Sequence, residues 1–123
     1  FRVDIFSQLA KCWRVMAAVS RQMTRYKQQA RVLKALAHPS RLLMVEELSR
    51  GERCVCELAK LVGAEMPTVS RHLALLREAG IVDDDKRGVQ VFYRLKTPCV
   101  MNFFQCVAAV RAGESNEAIS RAA

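Results

Sequence analysis

Residues 51–76, GERCVCELAKLVGAEMPTVSRHLALL, constrain the fold more than any other stretch of the chain. A short helical pattern runs from about residue 54 to residue 62 and stops at Gly63. A second pattern opens near Pro67, which suits a first helical turn because no backbone N–H is needed there. Val69, Leu73 and Leu76 are spaced to face inward, and Gly80 ends the pattern. The period then shortens. Ile81-Val82 leads into Asp83-Asp84-Asp85-Lys86-Arg87-Gly88, and residues 89–95 alternate apolar and polar side chains. That is a β-hairpin, with Gly88 supplying the positive φ of its turn. Two short helices, a tight turn and a hairpin make a mainly α winged helix-turn-helix.

The flanks read as helices. Residues 24–37 place Ala30, Leu33, Leu36 and Ala37 inward, and His38-Pro39-Ser40 breaks the pattern, because a residue before proline is pushed out of helical geometry. A helix then starts at Pro39 or Ser40 and runs through Ser49 on Leu42, Leu43, Val45 and Leu48, with Gly51 as a left-handed cap. Val3, Phe6, Leu9, Trp13, Met16 and Ala17 have helical spacing in a separate segment, residues 3–20, whose apolar side suits a partner surface. Pro98 opens a final helix through about Arg111 carrying Cys99, Phe103, Cys106, Val107 and Val110, and the small, polar residues 113–123 fray. The chain thus divides into an N-terminal helix over 1–23, a core over 24–96 and a C-terminal helix and tail over 97–123.

A length of 123 residues suits one domain. The net charge of +8 and a pI of about 9.7 favour a polyanionic partner, nucleic acid before an anionic membrane. No apolar run is long enough to span a bilayer, and residues 1–19 do not read as a secretory signal because Asp4, Lys11 and Arg14 interrupt them. The chain does not start with Met. Five scattered cysteines, an odd number, argue for reduced thiols in a cytosol rather than a disulfide framework.

The second helix of the motif presents Pro67, Thr68, Ser70 and Arg71 outward, with His72 at the margin. Arg can grip guanine O6 and N7, Ser and Thr serve bases or phosphates, and the helix N-terminus favours a phosphate oxygen. Lys86, Arg87 and Gln90 at the hairpin tip suit phosphate or minor-groove contact. Pairing of Lys86 and Arg87 with Asp83, Asp84 and Asp85 is the rival reading, since bare carboxylates there repel phosphate.

Cys54 and Cys56 open the first helix of the motif. On a regular helix their sulfurs point roughly 200° apart, so both bind one ion only if the first turn is irregular. A helix N-terminus and the neighbouring Arg53 are expected to lower the thiol pKa, and soft thiolates select soft ions. The rival reading makes these cysteines small buried hydrophobes. A zinc site on the last helix is excluded because residues 97–111 hold neither His nor a carboxylate. A thiol enzyme needs a phosphate-cradling loop after a strand, and Cys54 instead follows a helix and a Gly-Glu-Arg turn, so the chain reads as a non-enzyme.

The run RCVCELAKLVGAEMPTVSRHLALLREAGIVDDDKRGVQVFYRL, with LKALAHPSRLLMVEEL upstream, is similar to the core of the ArsR/SmtB family of metal-responsive bacterial repressors, its arsenic-sensing branch in particular. The resemblance covers about residues 30 to 95. It implies a cytoplasmic homodimer with the first and last helices at the interface, binding double-stranded operator DNA and releasing it when an inducer binds. It makes Cys54 and Cys56 the inducer ligands, for As(III) first and Cd(II) or Pb(II) second, with no organic cofactor. The third cysteine of arsenic-type members falls at Ala59 here, which leaves Cys12 as a trigonal third ligand in the manner of the cadmium/lead type. Cys99 and Cys106 form a second candidate site, or serve a redox- or persulfide-sensing variant of the same scaffold.

Overall fold

The computed structural model describes residues 5–113. Helix α1 spans Ile5–Leu36, α2 Pro39–Ser49, strand β1 Arg53–Cys54, α3 Val55–Val62, α4 Met66–Glu78, strands β2 and β3 Val82–Arg87 and Gln90–Leu95, and α5 Val100–Ala112. The chain separates into two units, residues 1–34 and 35–123.

The first unit consists of α1, which corrects the expectation of separate helices over 3–20 and 24–37. Ser20-Arg21-Gln22-Met23 contains no Gly or Pro, so nothing ends the helix between the two apolar patterns. The helix is 32 residues long, about 48 Å at 1.5 Å per residue. Its end also departs from expectation. Leu36 is buried, but Ala30, Leu33 and Ala37 are exposed. Val3 and residues 114–123 lie outside the described residues.

The second unit is the winged helix-turn-helix. α2 starts where Pro39 blocks the helix before it, and the His38 ring caps it, Nδ1 accepting the Ser40 N–H at 3.1 Å. Met44, Val45 and Leu48 are its buried side chains, whereas Leu42 and Leu43 are exposed, so its inward face is turned from the one expected. The helix ends on Arg50 in right-handed geometry rather than on a left-handed Gly51. α3 does end as expected: Gly63, at φ 69°, lets its own N–H and that of Ala64 reach the Ala59 carbonyl. In α4 the 3.6-residue period holds, and Val69, Leu73 and Leu76 are fully buried. They pack into a core with Met44, Val45, Leu48, Leu58, Ile81 and Val82. Each such side chain contributes about 1.5–3 kcal/mol on leaving water.

The sheet has the order β1-β3-β2, all antiparallel. β2 and β3 form the wing, turned by Gly88 at φ 65° and Val89. The two-residue β1 was not expected; it pairs Arg53 with Tyr93 and Cys54 with Phe92. After the wing, Lys96 N–H returns to the Ile81 carbonyl and the Thr97 hydroxyl to the Gly80 carbonyl, closing its base.

The α4 core face predicts a specific loss. Leu73→Ala removes a fully buried side chain beneath the outward face and is expected to cost about 2–5 kcal/mol, read as a lower urea midpoint at unchanged slope.

Candidate DNA-reading face and thiol pair

The α4 periodicity that buries Val69, Leu73 and Leu76 leaves Pro67, Thr68, Ser70 and Arg71 exposed on the opposite side. Glu65 at the N-cap makes no side-chain bond to the first turn, so no side chain of the cap competes for its amides. His72 is placed differently. It is half-buried against α2, its ring centroid 4.4 Å from that of His38 and its Nδ1 3.3 Å from Arg41 Nη1. Burial, then the His38 and Arg41 charges, lowers its pKa and favours the neutral ring. His72 therefore supports the α2–α4 joint from beside the reading face.

The wing's acidic run is matched by arginines. Asp83 bonds Arg94 at 2.9 Å, Asp84 bonds Arg77 at 2.9 Å, and Asp85 bonds Arg87 at 3.0 Å. The Arg94 hydrogen bond is the main reason the Asp83 carboxyl titrates below its ordinary value, with the Asp84 N–H assisting. Arg87 also reaches Glu52 at 2.6 Å, and its guanidinium lies 4.6 Å from the centroid of the Phe92 ring. Lys86 and Gln90 are exposed. Adjacent strand residues point to opposite faces, so Lys86 and Arg87 do not act as one patch.

Cys54 is both the last residue of β1 and the N-cap of α3. Its extended backbone, φ −79° and ψ 158°, takes it off the helix, which removes the roughly 200° separation a regular turn imposes. The Cys56 thiol lies near enough to act on its titration, and the Cys54 Sγ accepts the Glu57 N–H at 3.4 Å. The expected lowering of the Cys54 pKa is reversed. Contact with the Cys56 thiol and then burial push it up, and these outweigh the Glu57 N–H. Arg53 does not help because Glu47 holds its guanidinium at 3.0 Å and Glu57 lies 3.7 Å away. The same Arg53 bond is the main cause that lowers the Glu47 pKa.

Cys56 is half-buried, and Cys12, Cys99 and Cys106 are exposed. Cys99 precedes α5 as its N-cap, and Cys12 belongs to α1. Among the described residues no three His, Cys, Asp or Glu side chains are gathered for a metal ion. Nor is any helix there long and apolar enough to cross a membrane.

The family model for bacterial regulatory proteins of the arsR family matches residues 38–84, from the α2 cap into the wing. The biofilm growth-associated repressor of Agrobacterium fabrum is 40% identical over 79 residues, 64% of this chain and 68% of that protein. The chain belongs to the ArsR family. The arsenical resistance operon repressor of Escherichia coli is 49% identical over 65 residues, 52% of this chain and 56% of that repressor, so the match spans little more than half its length. Among solved structures, a homodimeric winged helix-turn-helix DNA-binding domain of Mycobacterium bovis, a possible ArsR-family regulator, matches at TM-score 0.66 and 34% identity over 75% of this chain and 85% of that one. This ArsR-family chain is thus a DNA-binding regulator of the winged helix-turn-helix type. The Glu52–Arg87 bond is not legible in the sequence, because it depends on β1 and a two-residue strand leaves no periodicity.

The raised Cys54 pKa sets a sign. A scarce thiolate makes Cys54 slow to alkylate at neutral pH, and its rate keeps climbing as pH passes the ordinary thiol range. Iodoacetamide with peptide mapping is expected to rank Cys54 below Cys12, Cys99 and Cys106 at pH 7 in native protein. The neutral thiol's contribution to stability is fully present below the ordinary thiol pKa and is lost as pH rises through the folded value.

Proposed function

We propose that this chain is a homodimeric repressor that holds operator DNA with α4 and the wing and vacates it when a thiophilic ion is captured at Cys54 and Cys56. The observation that carries the reading is the extended Cys54 at the joint where β1 becomes α3, the first helix of the helix-turn-helix, which takes its thiol off the helical turn that carries Cys56. Two adjacent sulfurs suit a soft ion, As(III) first and Cd(II) or Pb(II) next. Such an ion takes thiolates, so its capture releases protons and strengthens as pH rises. This reading nominates Cys12, on α1, as the third donor. Cys99 and Cys106 are exposed thiols on or beside α5 and form a less favoured second site.

In this mechanism the protein's own residues supply the response. Turning the Cys54 sulfur onto an ion shared with Cys56 would reorient it and strain the hydrogen bond it accepts from the Glu57 N–H, and with it the N-cap of α3. Side-chain caps are worth about 1 kcal/mol, and a sulfur acceptor less. α3 packs Leu58 against the core that positions α4, so a shift of its first turn reaches Thr68, Ser70 and Arg71. Lys86, Gln90 and the first-turn amides of α4, beside Pro67, hold phosphates, and Arg71 reads a base edge. The +8 charge fits this partner and makes affinity fall steeply with salt.

A thiol-oxidation response is the second reading, favoured by the exposure of Cys99 and Cys106. Mass spectrometry after mild oxidation separates the two, since this reading requires a reversible disulfide involving one of them.

The deciding experiment is fluorescence anisotropy of the reduced protein on DNA from its own promoter, titrated anaerobically with arsenite. Loss of the complex near one arsenite per subunit is expected; binding that ignores arsenite, cadmium and lead removes the ion response. Cys54→Ser and Cys56→Ser are expected to keep DNA affinity and lose the response, and failure of either to bind DNA makes that thiol structural. Arg71→Ala is expected to weaken operator binding by about tenfold, in keeping with 1–3 kcal/mol for a base contact. Unchanged affinity removes Arg71 from the reading face.

A further inference from the structure

We infer that Arg87 and Glu52 form a latch that couples the thiol pair to the wing, an inference that rests on the ion-responsive reading above. Strand register places its parts. Cys54 pairs with Phe92 across β1 and β3, and Asp85 pairs with the same Phe92 across β2 and β3. The three residues form one row across the sheet, and side chains of directly paired residues lie on one face. Arg87, two residues beyond Asp85, shares that face, and its guanidinium sits 4.6 Å from the Phe92 ring centroid. From there it bonds Asp85 at 3.0 Å within its own strand. It also bonds Glu52 at 2.6 Å, a residue 35 positions away in sequence.

Glu52 lies two residues before Cys54. The Glu52–Arg87 bond therefore joins the segment that carries the thiol ligand to the tip of the wing. The β1–β3 ladder is only two residues long, and this bond spans it, from Glu52 beyond the Arg53–Tyr93 pair to Arg87 beside the turn of the wing. Both partners are substantially exposed, and such a pair adds little to stability. Its consequence is directional. When Cys54 leaves its cap position, the chain before it moves, Glu52 moves with it, and Arg87 either follows or is released from its seat on Phe92. In both cases the wing beside Lys86 and Gln90 changes position with the state of the thiols. The Phe92 ring makes the seat specific for a planar guanidinium, which stacks on aromatic faces where an ammonium does not match it. Glu52 is a positioning residue here; it is placed neither among the DNA contacts nor among the ion ligands.

The test compares wild type with Glu52→Gln, which keeps shape and removes the charge. Three quantities are read in the full chain: arsenite stoichiometry by loss of titratable thiols at Cys54 and Cys56, promoter-DNA affinity with and without arsenite, and amide hydrogen exchange over residues 82–95 with and without arsenite. The variant is expected to bind arsenite as wild type does and to bind DNA without arsenite within about threefold. Its arsenite-driven loss of DNA affinity is expected to shrink at least fivefold, within the usual range of coupling factors. Its wing amides are expected to stop responding to arsenite. Arg87→Lys, which keeps the charge but loses the planar fit on Phe92, is expected to blunt the exchange response as Glu52→Gln does, which a purely electrostatic role for Arg87 does not predict. A Glu52→Gln protein whose DNA affinity and wing exchange respond to arsenite as in wild type overturns the latch and leaves the thiol reading standing. Wild-type protein that takes up no arsenite at Cys54 and Cys56, or takes it up with no change in DNA affinity, overturns the ion-responsive reading and the latch with it.

Discussion

Two backbone pairings, Arg53 with Tyr93 and Cys54 with Phe92, tie together parts that lie far apart in the chain. They fix the segment before α3 against the wing strand. They also hold Cys54 in extended geometry at the mouth of α3, where its sulfur becomes a helix cap. That single residue then belongs to the sheet through its backbone and to the helix through its side chain. Without the pairing, the two cysteines sit two positions apart on a helical turn with their sulfurs roughly 200° apart. With it, Cys54 leaves the helical turn, and α3 and the wing strand β3 are joined at one residue.

Charge in the wing obeys a second constraint. Three consecutive aspartates in a strand work against binding a polyanion, yet each finds an arginine: Arg94 and Arg87 within the hairpin, and Arg77 from α4. The pairs are exposed and add little to stability. Their effect is on the field, because they cancel the acidic run locally. The wing keeps Lys86 as a cation with no carboxylate partner among the described residues. Arg87, the other obvious candidate for a phosphate, is already occupied by two carboxylates and a ring.

Much of this was legible in the sequence where period and punctuation agree. Val69, Leu73 and Leu76 recur at helical spacing between Pro67 and Gly80, and all three are buried. Gly63 and Gly88 stand where only a positive φ closes the turn, and both adopt it. The failures have equally local causes. LLMV in α2 offers four apolar residues in succession, so periodicity does not choose between Leu43 and Met44, and packing against α3 and α4 does. The continuous α1 was split because its apolar pattern lapses, although nothing there breaks a helix. Of the candidate site, the positions of Cys54 and Cys56 at the start of α3 were visible. The direction of the Cys54 pKa was not, because the helix-end effect can be read from sequence, whereas burial and the Cys56 contact come from tertiary structure. Arg53 stands next to a thiol in sequence and beside Glu47 in space.

The histidine pair has a consequence for which ions the protein tells apart. Only two imidazoles exist in the chain, and both are committed: His38 Nδ1 to the α2 cap, His72 Nδ1 to Arg41, with the rings against each other. Recruiting either as a ligand disturbs the α2 cap or the bond to Arg41. Borderline metals that cells keep in greater supply, zinc above all, are commonly held by imidazole together with sulfur. A protein whose nitrogen donors are locked into its own scaffold offers them an incomplete site. Under the ion response proposed above, discrimination against the common metal rests on withholding a donor, with no need for a pocket shaped to exclude it.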